Sequence, residues 1–253
     1  MKCIVCDGMI CQPVLDTPYW ECQGCNLWFQ SPLPPKRFEA AAEKTAEGVP
    51  LADQMSDRDR AIVQHYAQTF WYNYVQKLPG PQQVLDLGCK YPWFLKCLQE
   101  ASGGAVQGHG VDAMDSDPGS VPVMQQYESE LGVPMLRLDF EQPVAAQQLL
   151  SVIAPGHYDA VSMIHVWEHV YDPHLGMGLL RSLLKPGGIL LWRMPSHDVP
   201  GFQNHLSDRH YSIHPYFYCE KAIRTLVEQN GGFDLIETYG VGGGVRDFVL
   251  KRR

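Results

Sequence analysis

Regular alternation of short apolar strands with helical segments, from residue 83 onward, constrains the fold of this chain most strongly. Strand patterns occur at 84–87, 106–111, 135–138, 158–165 and 189–192, and helical patterns at 94–101, 124–131, 145–153 and 175–184. A helix at 53–78 precedes them, and a helix at 220–229 and strands at 233–239 and 245–251 follow. This order predicts a Rossmann-like, doubly wound α/β fold with a mostly parallel sheet and a final antiparallel pair. Such sheets bind ligands at the carboxyl ends of their strands.

Composition narrows the class of partner. The 253 residues are 45% hydrophobic, which suits one main core with a small appendage, and the formal net charge is −8. Nucleic acid is disfavoured because duplex binding needs a basic surface. A signal-peptide pattern is lacking at the start, and no stretch approaches the roughly 20 apolar residues that span a bilayer. We therefore expect a cytoplasmic protein without a membrane partner; the oligomeric state stays open.

The first thirty residues carry two cysteine knuckles. Cys3-x-x-Cys6 and Cys22-x-x-Cys25 are separated by 15 residues, with a hairpin expected between them. This spacing is typical of a closed four-cysteine zinc site, and metal binding would supply the folding energy that so small a segment lacks. Cys11 falls outside the pattern. The alternative is a hydrophobic mini-core made of the same cysteines without metal.

The segment Val84-Leu85-Asp86-Leu87-Gly88-Cys89 is a strand that enters a tight turn before a helix. It resembles the first motif of class I S-adenosylmethionine-dependent methyltransferases. The resemblance implies cofactor binding by Asp86, Gly88 and Lys90. It also implies that Asp112, at the end of the next strand, accepts the ribose hydroxyls of the cofactor, a pair that a carboxylate matches well.

Later segments extend the resemblance over most of the chain. Leu138-Asp139-Phe140 is similar to the family's third-strand segment, where an acid accepts from the adenine amino group. The segment from Tyr158 through His169 is similar to the fourth strand and its loop, which implies that His165 and Glu168 lie over the cofactor. The cysteine-rich head resembles that of bacterial methyltransferases that act on sugars, polysaccharide precursors or natural products.

The first motif departs from the family's Gly-x-Gly-x-Gly, because Lys90 and Pro92 replace two glycines. Lys90 adds bulk where the methionine part of the cofactor usually lies, and glycine there would permit a positive φ. This departure favours the alternative function, a degenerate methyltransferase fold that binds a partner through its ribbon. A nicotinamide enzyme is disfavoured because Gly-x-Gly-x-x-Gly is lacking.

Histidines are concentrated after the fifth predicted strand. A methyl acceptor that is a hydroxyl or a carbon acid must lose a proton, and histidine is suited to remove it near neutral pH. We predict His214 or His210 as the general base and His169 as a pocket residue. The alternatives are hydrogen bonding within a lid and a second metal held by several histidines. His165-Val166-Trp167-Glu168-His169 matches an inverted zinc-peptidase motif, but it follows a strand rather than lying on a helix.

The prediction is therefore a zinc ribbon at 1–34, a linker and helix at 35–79, and a methyltransferase domain at 80–253. The expected activity is O-, C- or N-methylation of a small molecule or sugar, with S-adenosylmethionine as the cofactor and Zn²⁺ in a structural role.

Overall fold

The computed structural model describes residues 1–34, 56–80, 82–90, 92–112, 120–138, 155–207, 211 and 213–253, with the backbone alone at 120–123. The chain divides into two compact units. The first unit comprises Met1–Ala40, Ile164–Arg181 and Leu191–Arg253, and the second comprises Ala41–Met163 and Ser182–Leu190. The predicted helix at 145–153 and residues 35–55 of the predicted linker and helix lie outside the described residues. The predicted domain boundaries stay a prediction.

Helices and strands follow the predicted alternation closely. In chain order the elements are β1 (Cys11–Pro13), β2 (Tyr19–Cys22), β3 (Trp28–Gln30), α1 (Asp57–Asn73), β4 (Gln82–Leu87), α2 (Trp93–Ala101), β5 (Val106–Asp112), α3 (Ser120–Leu131), β6 (Met135–Arg137), β7 (Tyr158–Ile164), α4 (Pro173–Leu183), β8 (Leu184–Pro195), β9 (Tyr216–Phe217), α5 (Glu220–Asn230), β10 (Phe233–Gly242) and β11 (Val245–Arg252). Strand β8 begins earlier than predicted. The Lys-Pro-Gly-Gly sequence at 185–188, between the predicted helix and the predicted strand, lies within β8, and its Gly187 takes a φ of 79°.

Parallel strands form the sheet of the second unit. Strand β4 pairs in parallel with β5 and with β7, and β5 pairs in parallel with β6. The strand order in this unit is β8–β7–β4–β5–β6, with β8 contributing residues 184–190. The carboxyl ends of β4, β5 and β7 therefore lie at one edge of the sheet, where ligands bind in folds of this type.

Local sequence explains the tight packing at that edge. Strand β4 is almost entirely buried, as expected of a strand that is flanked on both sides. A Cβ at Gly110 of β5 would lie 2.5 Å from Met135 Sδ and 2.8 Å from Cys89 Sγ. Only glycine lets β6 and the turn after β4 approach β5 this closely. The first-motif turn is thereby held against the second strand of the pattern.

A four-stranded antiparallel sheet lies in the first unit. Strand β1 pairs with β2, β2 pairs with β3, and β3 pairs with β9, although β9 lies far along the chain. In the last pair, Trp28 is opposite Phe217 and Phe29 is opposite Tyr216. The sheet packs on a core whose buried members are Tyr19, Phe202 and Phe217. The cysteine-rich head thus shares one sheet with the segment that follows β8.

The first unit also contains the antiparallel pair of β10 and β11. Strand β11 neighbours β8, which contributes residues 191–195 here. Arg193 of β8 donates from Nε to Asp247 Oδ1 of β11 at 2.6 Å, and both side chains are buried. Such a pair offsets the cost of burying each charge, whereas either charge left alone would be strongly destabilising.

These elements confirm the predicted fold class, a mixed α/β chain with a mostly parallel sheet and a four-cysteine cluster at its N-terminus. Across the described residues, every helix is too short or too polar to cross a membrane.

Candidate functional site

The first-motif turn follows β4 directly and is tied to the end of β5. Gly88 takes a φ of 72°, and its N–H donates to the carbonyl of Val111 at 2.7 Å. Lys90 also takes a positive φ, 37°, and its side chain is exposed. The turn therefore keeps the left-handed backbone that glycine usually provides, although a non-glycine residue holds it at a cost of about 1–2 kcal/mol.

Asp112 ends β5 beside this turn. Its Oδ2 accepts the backbone N–H of Lys90 at 2.6 Å, so the carboxylate is oriented by the turn. Asp112 is half-buried, which leaves it accessible to a ligand at the carboxyl end of the strand. A carboxylate accepts two hydroxyl groups at once, so this position suits a ribose.

Asp86 is the buried acid of the site, with 3% of its surface exposed. Ser162 of β7, its register partner, donates from its hydroxyl to Asp86 Oδ1 at 2.6 Å. Burial raises the pKa of Asp86 to about 7, against the opposing effect of the Ser162 hydrogen bond, and the nearby charge of Asp112 adds to the rise. The sequence analysis missed Ser162. It is the one small polar side chain in the buried part of β7, and that was the available signal.

In the first unit, a single turn of 3₁₀ helix, Trp167–His169, carries a buried carboxylate. Glu168 is 1% exposed, and neither of its carboxylate oxygens has a hydrogen-bond partner in the described part of the chain. His165 Nδ1 lies 3.5 Å from Oε1, which is an ion-pair distance rather than a well-formed hydrogen bond. Burial would raise the pKa of Glu168, but His165, together with His169 and His214, lowers it below the ordinary value.

Two imidazoles lie against this carboxylate. His169 and His214 have ring centroids 4.6 Å apart, and one ligand atom from each lies within 4.8 Å of the other and of a Glu168 oxygen. His169 Nδ1 lies 2.9 Å from the carbonyl oxygen of Ile213. Because a carbonyl only accepts, this contact assigns the proton of a neutral His169 to Nδ1 and leaves Nε2 as an acceptor. The cluster can bind a proton or, by its spacing, a cation.

The structure thus brings His169, His214, Glu168 and His165 together, and separately Asp86, Gly88, Lys90 and Asp112. Three predicted site residues, Asp139, Phe140 and His210, lie outside the described residues. The roles assigned to all of them from the sequence stay predictions.

The two cysteine knuckles converge in the first unit. The Sγ atoms of Cys3 and Cys25 lie 3.6 Å apart, and those of Cys6 and Cys22 lie 3.3 Å apart. Tetrahedral ligation with Zn–S bonds of about 2.3 Å gives S···S distances of about 3.8 Å, so the four thiols suit one zinc ion. Cys11 is outside this group, as the spacing predicted.

A family model described as a methyltransferase domain matches residues 59–238. The chain belongs to the methyltransferase-domain family. This membership confirms the family indicated by the resemblance in the sequence. The matched range contains both the first-motif turn and the Glu168 cluster.

Named relatives and solved structures agree with this family. The ubiquinone biosynthesis O-methyltransferase of Azotobacter vinelandii is 31% identical over 118 residues, which are 47% of this chain and 46% of the relative. The enzyme of the same name from Xanthomonas campestris pv. campestris is 38% identical over 114 residues, 45% and 42% of the two chains. The chain thus spans less than half the length of these relatives. A methyltransferase solved with the Trm112 activator of Haloferax volcanii shares the fold, with a TM-score of 0.57 and 16% identity over 78% of this chain and 94% of that chain.

The raised pKa of Asp86 predicts a pH-dependent stability. The folded state favours the protonated acid, so the stabilising contribution is complete below about pH 4 and is lost as the pH rises towards 7. For Asp86→Asn we expect the free energy of unfolding to fall less between pH 5 and pH 8 than in the wild type, by about 2–3 kcal/mol. Urea denaturation at both values measures this difference. Asp57→Asn, at an exposed acid, is the control, and an equal pH dependence in all three proteins would contradict the assignment.

Proposed function

We propose that this chain transfers the methyl group of S-adenosylmethionine to an oxygen of a small-molecule or sugar acceptor. Membership in the methyltransferase-domain family supports the reaction class. The names of the relatives, O-methyltransferases at 31% and 38% identity, support oxygen as the acceptor atom. The observation that carries the proposal is the buried Glu168 carboxylate beside His169 and His214.

The residues after β4 and β5 would hold the cofactor. Asp112 would accept the ribose hydroxyls, oriented by the N–H of Lys90, and the turn at Gly88 would let the backbone approach the cofactor. Asp86, just before this turn, would help to hold the turn in place because its carboxyl group is hydrogen-bonded to the Ser162 hydroxyl of β7. When bound, S-adenosylmethionine supplies a methyl group on a sulfonium that an oxygen nucleophile can displace.

The histidine cluster would remove the proton of the acceptor. A hydroxyl with a pKa near 10 or above is a poor nucleophile until it loses its proton to a base. We assign this base to His214, with His169 Nε2 as an acceptor that orients the hydroxyl. Glu168 stays ionised because its pKa is lowered, so it would stabilise the imidazolium that forms. A nitrogen acceptor with a free lone pair would not need this arrangement, which favours oxygen.

The four thiols would bind one structural zinc ion. All four positions of a tetrahedral ion would be filled by cysteine, so no position is open for substrate, and the metal would act on folding. The alternative to an enzyme is a binding protein that no longer turns over, and the replaced glycines favour it. That alternative requires a closed cofactor pocket, whereas the exposed side chain of Lys90 and its positive φ are compatible with an open one.

Calorimetric titration with S-adenosylmethionine and S-adenosylhomocysteine tests the cofactor site. We expect micromolar binding by the wild type and at least about 100-fold weaker binding by Asp112→Ala, because two charge-assisted hydrogen bonds are lost. Glu228→Ala removes an exposed carboxylate on α5 and should bind like the wild type. No binding by a folded wild-type sample would move the proposal to the degenerate binding protein.

Replacement of the proposed base tests the chemistry. A screen of phenolic, catecholic and sugar acceptors with methyl-labelled cofactor would first identify the substrate. For His214→Asn we expect a loss of about 10²–10⁴-fold in the transfer rate, with cofactor affinity unchanged. His65→Asn, at an exposed histidine of α1, should retain full activity. A His214→Asn enzyme with the wild-type rate would overturn the assignment of the base.

Metal analysis tests the zinc site with a matched pair of cysteines. We expect about one zinc ion per wild-type chain and per Cys11→Ser chain, and a large loss of zinc in Cys25→Ser. The reason is that Cys25 belongs to the four-thiol group and Cys11 does not. Mass spectrometry of the digested protein gives the zinc content. Stoichiometric zinc in Cys25→Ser, or none in the wild type, would contradict the proposal.

A further inference from the structure

Two side chains of the four-stranded sheet of β1, β2, β3 and β9, called the ribbon sheet below, donate hydrogen bonds to the backbone carbonyl of His214. Tyr19 of β2 donates from its hydroxyl to the His214 carbonyl oxygen at 2.7 Å. Gln30 of β3 donates from Nε2 to the same oxygen at 2.9 Å and to the carbonyl oxygen of Tyr211 at 2.6 Å. Tyr19 is 1% exposed and Gln30 is 8% exposed. Water therefore cannot readily replace these donors.

The same contact region is reinforced by backbone pairing and by aromatic packing. The N–H of Gln30 donates to the carbonyl of Pro215 at 3.0 Å, immediately before the pairing of β3 with β9. The ring of Tyr19 packs on Phe217 with centroids 4.9 Å apart. The His214 ring in turn contacts Phe217 edge-on at 5.3 Å. Burial raises the pKa of the Tyr19 hydroxyl, so it remains a donor at any working pH.

The backbone of His214 is thus held by two side chains of the ribbon sheet, whereas the backbone of its neighbour Ile213 is held by His169. The Ile213 carbonyl is the partner of His169 Nδ1. Two consecutive carbonyls therefore set where the His214 ring lies relative to His169 and Glu168. A displacement of about 1 Å of a catalytic group costs up to about 100-fold in rate, so these donors have a large effect available to them.

We propose that Tyr19 and Gln30 are positioning residues for His214, and that the ribbon serves the reaction by holding this histidine in place. The proposal rests on the proposed function for the role of His214. The donors lie near the cysteine ligands along the chain. Tyr19 and Cys22 are both on β2, and Gln30 is on β3, the strand that follows Cys25.

Tyr19→Phe tests this with the loss of a single hydroxyl group. Its matched control is Tyr171→Phe. The Tyr171 hydroxyl also donates a hydrogen bond of 2.7 Å to a backbone carbonyl, but the acceptor is Pro34 and not a histidine. The first readout is the imidazole resonance of His214 in histidine-labelled protein, assigned by its loss in His214→Asn. This readout needs no acceptor, so it is independent of the proposed reaction. The second readout is the transfer rate at saturating cofactor.

We expect Tyr19→Phe to shift or split the His214 resonance and to lower the transfer rate by about 10- to 100-fold, with zinc content and cofactor affinity unchanged. Tyr171→Phe should leave both readouts at wild-type values. Gln30→Met, which removes the second donor at similar volume, should reproduce the effect and replaces Tyr19→Phe if that variant fails to fold.

An unchanged His214 resonance in both Tyr19→Phe and Gln30→Met would overturn the positioning role. A shifted resonance combined with an active His214→Asn would keep the positioning role and refute the proposed base. The two failures are therefore distinguishable.

Discussion

Two consecutive carbonyl groups, those of Ile213 and His214, determine the geometry of the candidate acid–base cluster. One accepts from His169, and the other accepts from Tyr19 and Gln30 of the ribbon sheet. A histidine on an irregular segment would otherwise sample many positions, because loops lack the repeated hydrogen bonds of helices and sheets. Pairing of β3 with β9 converts this segment into part of a sheet. Under the proposed function, the small cysteine-rich head would therefore matter for chemistry as well as for folding.

Two buried acids, Asp86 of the second unit and Glu168 of the first, respond to burial in opposite ways. Asp86 is buried with one hydroxyl donor, and its pKa rises to about 7, whereas Glu168 is buried among imidazoles, and its pKa falls. Burial disfavours ionisation of both groups and dominates at Asp86, where Asp112 adds a smaller effect, whereas the adjacent histidines outweigh burial at Glu168. A carboxyl group such as that of Asp86, which is uncharged at pH values below about 7, suits a structural position. A carboxylate that remains ionised suits the stabilisation of a protonated base.

Local patterns in the sequence were sufficient for the fold class and for the convergence of the four cysteines, because strand alternation and ligand spacing are short-range signals. The family resemblance also placed His169 and Glu168 in the loop after the fourth strand. Contacts between distant segments left no such signal. Ser162 faces Asp86 through strand register, and Gln30 reaches His214 across 184 residues. The two-residue strand β9 is too short for any periodicity to reveal. The roles of the site residues depend on these long-range contacts, and they stay predictions.

The central claim is that Glu168 stabilises the protonated form of the proposed base, His214, and does not hold the cofactor. The most direct measurement compares Glu168→Gln with the wild type in both cofactor affinity and transfer rate, with Glu228→Gln as the control at an exposed acid. The account predicts a transfer rate at least about 10-fold lower at saturating cofactor, because the imidazolium loses its charged partner, and a cofactor Kd within about threefold of the wild type. A wild-type rate at saturating cofactor, together with a weakened Kd, would contradict it and assign Glu168 to cofactor binding.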